Sequence, residues 1–403
     1  MSMFENVQSA PPVEIFVLSR RFTEDSSPNK MNLSIGAYRG EDGKPWVLPV
    51  VRKVEQEMAA DETLTHEYLD MLGDPDYSIA ATKMLLGKES IALKEGRAFG
   101  IQALSGTGSL RIGADFLRSC LGADSVYISA PSWPNHQLLF NHSGYKNIKT
   151  YRYWDATNLC LDFNGMIEDL SQAPAGSVII LHVCAHNPTG CDPTAEQWEK
   201  IANLMREKKL FPFFDCAYQG FASGDLEKDA FAVRYFVDQG FELFCAQSFA
   251  KNFGLYNERT GNLTIVVKDP KVIVNIKAQI TLIVRGNYSN PPAHGVRVVK
   301  RVLSDPKLFG EWEQQIKIMA NRIIETRKSL REKLEALGTS GKWNHITDQI
   351  GMFSYLGLSE NQVNYLVDQC HIYLPKSARI SMAGINKSNI DYLAKSIHDA
   401  VTQ

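Results

Sequence analysis

An α/β fold, in which helices cover a mostly parallel sheet and a smaller α+β domain follows, is what this chain of 403 residues predicts. Three observations point there. Short apolar, β-branched runs alternate with helical patterns, as crossover units require. The runs are nearly continuous in apolar residues, as in strands buried on both faces. Polar or Gly-rich clusters follow the runs one after another, and in an open parallel sheet ligands bind at the carboxyl ends of the strands.

The strands read as residues 126–129, 178–183, 211–214 and 243–248. Among the helices, Thr194 with Gln197 forms a capping box, after which Trp198, Ile201, Ala202 and Met205 fall on one stripe. Residues 305–337 carry the longest helical pattern, through Leu308, Trp312, Ile316, Met319, Ile323, Leu330, Leu334 and Leu337, before Gly338 ends it. A helix of that length suits a bridge between two domains. Ser359 with Gln362 opens another capped helix, and Ile390, Leu393, Ile397 and Val401 mark the last one. No repeat or low-complexity linker separates the parts, so the domains are expected to pack together.

Composition excludes several classes. At roughly 150 residues per domain the length suggests two or three domains. With 43 Lys+Arg against 45 Asp+Glu the net charge is −2, so no single-sign field gathers nucleic acid or an anionic membrane. Apolar runs such as Val178-Ile179-Ile180-Leu181 fall far short of the roughly 18 residues of a membrane span. The start, Met1-Ser2-Met3-Phe4-Glu5, has neither signal-peptide nor transit-peptide character, which makes a cytosolic location the expectation. Seven cysteines (Cys120, Cys160, Cys184, Cys191, Cys216, Cys245, Cys370) without C-x-x-C spacing read as reduced, mostly buried thiols rather than disulfides or a zinc site, and no metal is expected.

The chemistry sits after the strands. His186-Asn187-Pro188-Thr189-Gly190, then Asp215-Cys216-Ala217-Tyr218, then Phe249-Ala250-Lys251-Asn252 would bring asparagine, aspartate, tyrosine and lysine into one crevice. Lys251 follows an apolar strand rather than lying on a charged helix face; an amine desolvated there has a lowered pKa and can form a Schiff base. Asp215 reads either as a helix cap at a strand end or as a carboxylate facing a pyridinium nitrogen. Arg259 reads as a solvated partner of Glu258 or as a phosphate ligand. Ser105-Gly106-Thr107-Gly108 opens a helix and can cradle phosphate, although it lacks the lysine of a Walker loop, and an ordinary Gly-rich helix start fits it as well.

These clusters, in this order, closely resemble the aspartate aminotransferases of the animal cytosolic type, within the pyridoxal-phosphate-dependent fold-type I superfamily. The resemblance spans nearly the whole chain. Its strongest segments include Gly36-Ala37-Tyr38-Arg39, Tyr151-Arg152-Tyr153-Trp154-Asp155, Cys184-Ala185-His186-Asn187-Pro188-Thr189-Gly190, Phe253-Gly254-Leu255-Tyr256-Asn257-Glu258-Arg259 and Trp343-Asn344-His345-Ile346-Thr347-Asp348.

The resemblance implies a seven-stranded, mostly parallel sheet and three chain divisions. These are an N-terminal arm with part of the small domain over 1–45, a large cofactor-binding domain over 46–318, and a small domain over 319–403. It also implies pyridoxal 5'-phosphate as cofactor, with Lys251 as Schiff-base lysine and proton carrier, Asp215 holding the ring nitrogen protonated, and Tyr218 and Asn187 bonding the ring phenolate oxygen. Trp133 would stack on the ring; on its own it reads as loop packing. Ser105, Gly106, Thr107, Ser248 and Arg259 would hold the phosphate, joined by Tyr68 from the neighbouring subunit of a homodimer.

By the same resemblance, Arg379 binds the substrate α-carboxylate and Arg285 reaches across the dimer to the distal carboxylate. Gly36, Trp133 and Asn187 also line the substrate site. His136 and His182, either of which alone reads as a satisfied core histidine, stand behind Asp215. The implied reaction is reversible transfer of the amino group of L-aspartate to 2-oxoglutarate; a broader or aromatic amino-acid aminotransferase is the alternative. Ala250, Gly286-Asn287-Tyr288 and Pro375-Lys376-Ser377-Ala378 depart from the usual pattern, the last immediately before Arg379.

Overall fold

The structure, a computed structural model, describes residues 2–403. Seven strands form the central sheet: β1 (Ala98–Leu104), β2 (Ser125–Ala130), β3 (Asn147–Arg152), β4 (Val178–His182), β5 (Phe211–Cys216), β6 (Leu243–Ser248) and β7 (Thr260–Val266), in the order β1-β7-β6-β5-β4-β2-β3. Neighbours from β6 through β3 are parallel, whereas β7 runs antiparallel to both β6 and β1. The four strands read from sequence are present. β1, β3 and β7 are additions, each with a physical reason for having escaped notice. β3 is an edge strand with exposed Asn147, Lys149 and Thr150. β1 and β7 carry Gly100, Gly261 and Asn262, residue types depleted in strands.

The central strands are buried on both faces because successive side chains point to opposite sides. Val178, Ile180, Phe213 and Phe244 enter one core with Leu110 and Ile112; Ile179, Leu181 and Phe214 enter the other with Trp198 and Phe236. Thr194 accepts from the Gln197 N–H, and the Gln197 side chain accepts in return from the Thr194 N–H, closing the capping box of helix Ala195–Glu207. Ser359 and Gln362 repeat the device at helix Glu360–Asp368.

The long helix is Pro306–Ala336, capped by Asp305, whose carboxylate accepts from the Lys307 and Leu308 N–H groups. Its first half packs on the strand-bearing layer: Trp312 Nε1 donates to the Asn252 carbonyl at 2.8 Å, and its ring stacks on Phe253. Its second half holds the C-terminal part, where Phe353–Tyr355 pairs antiparallel with Arg379–Ser381 and helices Glu360–Asp368 and Ile390–Thr402 pack together. Met31–Asn32 pairs in parallel with Ile372–Tyr373, so the N-terminal segment joins this smaller α+β unit. Cys184, Cys216, Cys245 and Cys370 are buried, Cys191 is half-buried, and Cys120 and Cys160 are exposed; all seven are free.

Candidate active site

The carboxyl ends of β4, β5 and β6 meet the starts of β7 and of helix Ser105–Leu121. Asp215 lies inside β5, paired in register with His182 of β4, which excludes the helix-cap reading. Its Oδ2 is 2.9 Å from His136 Nε2, and His136 Nδ1 is 2.9 Å from Ser132 Oγ. Burial pushes the Asp215 carboxyl up, but the His136 hydrogen bond and the charges of His136, His182 and Lys251 outweigh it and hold the group below the ordinary carboxylate value. Asp215 is therefore ionised at neutral pH.

His182 is held neutral, its pKa pushed down to about 3 by burial and then by His136. Neither of its ring nitrogens meets a hydrogen-bond partner among the described residues. Ligand atoms of His136, His182 and Asp215 lie within 4.8 Å of one another. The 2.9 Å His136–Asp215 hydrogen bond accounts for two of the three as a proton-sharing pair.

Lys251 sits three residues beyond β6, half-buried, with Nζ 5.8 Å from the Tyr218 ring centroid. Burial lowers its pKa from 10.5 to about 8, the Asp215 charge partly opposing and the Arg259 charge assisting. A sizeable fraction of the amine is neutral near pH 7 to 8, as a nucleophile toward a carbonyl must be. Tyr218 is buried, and burial pushes its phenol up.

The phosphate-binding candidates converge because β7 is antiparallel. Its first residue Thr260 pairs with Leu104 and Gly261 with Ser248, so Arg259 arrives at the edge where Ser105 begins its helix. The Ser105 N–H donates to the Arg259 carbonyl at 3.1 Å, and the Ser105 and Ser248 hydroxyls are 3.0 Å apart. The Arg259 guanidinium donates to the Tyr256 carbonyl at 2.7 Å. Leu104 at the N-cap supplies no side-chain acceptor, leaving the first-turn N–H groups of Gly106 and Thr107 without a side-chain cap. Such a helix start, with two hydroxyls and a guanidinium, suits a phosphate. Gly261 is a supporting residue the sequence reading missed: a Cβ there would stand 2.4 Å from the Ser105 carbonyl carbon, so only glycine lets β7 pass this close.

Arg379 is buried, with Nη2 donating to the Ser34 carbonyl at 2.6 Å, Nη1 3.4 Å from Asn187 Oδ1, and its guanidinium 4.0 Å above the Phe353 ring. Its Nε is buried without a partner. A buried guanidinium with an unused N–H fits a carboxylate ligand. Gly36 approaches the same ring so closely that a Cβ would meet Phe353 Cζ at 2.5 Å. Half-buried Trp133 packs edge-on against His136 at 5.3 Å between centroids.

Two predicted residues lie at the surface. Tyr68 is 81% exposed, and Arg285 is exposed in the last turn of helix Ile273–Asn287. A cavity of about 1750 Å³ between Ile79, Met84, Leu303 and Phe309 contains none of the candidate residues.

The family model described as aminotransferase class I and II matches residues 28–397. The chain is 54% identical to the cytoplasmic aspartate aminotransferase of Gallus gallus over 407 residues, covering 100% of this chain and 99% of that one. Among solved structures, aspartate aminotransferase from the cytoplasm of Saccharomyces cerevisiae superimposes with a TM-score of 0.97 at 41% identity, covering 99% of this chain and 98% of that one. The aromatic-amino-acid aminotransferase of Burkholderia pseudomallei, solved covalently bound to pyridoxal phosphate, gives 0.97 at 39% identity with both chains fully covered. With the family model matching residues 28–397 and 54% identity along the whole chain to an aspartate aminotransferase, this protein belongs to the class I and II aminotransferases.

Proposed function

We propose that the protein is an aspartate aminotransferase that moves the amino group of L-aspartate reversibly to 2-oxoglutarate, giving oxaloacetate and L-glutamate in a ping-pong cycle. The observation that carries the chemistry is the placement of the Lys251 amine and the ionised Asp215 carboxylate at one end of the sheet, near enough for each charge to act on the other. The full-length identity to aspartate aminotransferases named as cytoplasmic supports the substrate and a cytoplasmic location. Among the described residues no helix is long and apolar enough to cross a membrane.

The family works with pyridoxal phosphate, which when bound supplies a carbonyl to carry the amino group and a ring that accepts the electron pair released at the substrate Cα. The unfilled donors fit it. Ser105, Gly106, Thr107, Ser248 and Arg259 would hold its phosphate, and Asp215 would keep a proton on its ring nitrogen. Tyr218 and Asn187 would bond its phenolate oxygen, and Trp133 would cover its face. His136, fixed by Ser132, holds Asp215 in the orientation that work needs, with His182 behind it.

Lys251 does the proton work. Its amine would anchor the cofactor and, when free, would take the proton released at the substrate Cα and hold it for return. Arg379, on the small domain, would bind the α-carboxylate beside Gly36 and Asn187. In the proposed homodimer, Tyr68 and Arg285 of each copy complete the other's site, Tyr68 at the phosphate and Arg285 at the distal carboxylate. The proposed domain division, 1–45, 46–318 and 319–403, puts the last cut inside helix Pro306–Ala336. Closure of the small domain over a dicarboxylate would bring Arg379 toward Arg285.

A second reading, broader or aromatic specificity, draws on the likeness to the Burkholderia aromatic-amino-acid enzyme. Arg285→Leu separates them. Loss of two charged hydrogen bonds, each about 1.5–3 kcal/mol, lowers kcat/KM for L-aspartate roughly 10²- to 10⁴-fold, while L-phenylalanine is unaffected or improved. A native enzyme that prefers phenylalanine, and an Arg285→Leu variant unchanged on aspartate, would establish the second reading instead.

A further inference from the structure

Arg327 is 2% exposed, yet it lies within 4 Å of no carboxylate among the described residues. Its two terminal nitrogens bond three main-chain carbonyls, Nη1 donating to Ile346 at 2.9 Å and Nη2 to Gly351 at 2.8 Å and to Phe353, while Nε meets no partner among the described residues. Burial pulls its pKa down to about 9, a sign of how costly the placement is. Apolar packing would fill this position more cheaply, so the cation is explained by what it holds.

It holds the segment 346–353. That segment carries Phe353, whose ring lies under the Arg379 guanidinium, against Gly36 and 6.4 Å from the Tyr218 ring. Among the described residues Phe353–Tyr355 is also the only strand paired with Arg379–Ser381, matching Tyr355 with Arg379. Three residues before Phe353, the Ile350 N–H donates at 2.8 Å to the carbonyl of Gly190, in the loop that bears Asn187. Gln349 ties the same turn to the Ser354 hydroxyl and the Tyr355 N–H. Ser34 and Asn187 touch Arg379 from other segments, but the Phe353 ring beneath it and the strand beside it both rest on main chain clipped by one buried guanidinium.

We infer that Arg327 is a positioning residue for recognition of the substrate α-carboxylate, fixing the 346–353 segment on which Arg379 rests. The inference depends on Arg379 being the α-carboxylate ligand. Because every amino acid presents that carboxylate, Arg327 sets affinity for all substrates alike, whereas Arg285 sets preference among them.

The test compares native holoenzyme with Arg327→Met, Arg327→Lys and Phe353→Leu, measuring KM and kcat for L-aspartate and for L-phenylalanine, the absorption band of the bound cofactor, and thermal stability. Misplacing Arg379 by a fraction of an ångström raises KM for both amino acids by the same factor, roughly ten- to a hundredfold. The change in kcat is smaller, the cofactor band stays in place, and Arg327→Lys falls between. Should Arg327→Met fail to fold, Phe353→Leu, which keeps the three carbonyl bonds, still reproduces the KM rise. Variants that keep the native KM and differ only in melting temperature overturn the inference, as does a rise confined to aspartate. A native enzyme inactive on both amino acids overturns the reading of Arg379 and this inference together; a working one with unchanged variants overturns this inference alone.

Discussion

Lys251 and Asp215 set each other's charge, and that coupling makes a prediction with a definite sign. The Lys251 amine has a pKa of about 8, lowered by burial and raised in part by Asp215. In cofactor-free protein the rate at which Lys251 captures pyridoxal phosphate therefore rises with pH to a midpoint near 8, not near 10.5. Asp215→Asn removes the favourable charge and moves the midpoint lower still; a midpoint near 10.5 would mean that Lys251 is solvated. The lysine and the aspartate were legible in sequence because each follows or ends an apolar run, and parallel strands deliver such residues to one edge. Arg259 stayed open between a partner of Glu258 and a phosphate ligand, because it precedes its strand. Only an antiparallel β7 brings it to that edge, and β7 hides behind Gly261, Asn262 and Thr264. Those polar side chains are tolerated inside because they bond one another: Asn262 Nδ2 and Thr264 Oγ1 both donate to Gln247 Oε1, at 2.9 and 2.8 Å.

At the level of elements, remote caps and crowded glycines should fail in different ways. Thr194→Ala breaks the capping box of helix Ala195–Glu207 and costs about 1 kcal/mol of stability, seen as a lower denaturation midpoint with unchanged affinity for the cofactor. Gly261→Ala forces a Cβ into the Ser105 main chain, costing about 1–3 kcal/mol and also weakening pyridoxal-phosphate binding, measurable by equilibrium titration. Equal cofactor affinity in the two variants would show that the close approach of β7 does not shape the phosphate site. The capping boxes at Thr194 and Ser359 and the long helix at Pro306–Ala336 match their sequence signals, because a cap and a 3.6-residue stripe are local properties. The edge strand Asn147–Arg152 has no such signal; its pairing with Ser125–Ala130 is set by tertiary context.

For the whole molecule, the exposure of Tyr68 and Arg285 is the feature that a single chain leaves unexplained. If two copies share each site, mixing Arg285→Leu with Lys251→Ala chains, unfolded and refolded together, restores aspartate activity that neither has alone. The mixed dimer has one site with both native residues, which predicts about a quarter of native activity in an equimolar mixture. No recovery would place Arg285 and Lys251 in the same chain's site, or outside it. The central claim, transfer of an amino group from aspartate to the cofactor and on to a keto acid, is tested most directly by one spectrum. Purified protein loaded with pyridoxal phosphate is given L-aspartate with no keto acid. The account predicts that the band of the lysine-bound cofactor disappears as that of pyridoxamine phosphate grows, with one oxaloacetate released per site, and that 2-oxoglutarate reverses the change. A lysine-bound band that ignores aspartate while responding to another amino acid would contradict the substrate assignment, and the absence of such a band would contradict the enzyme itself.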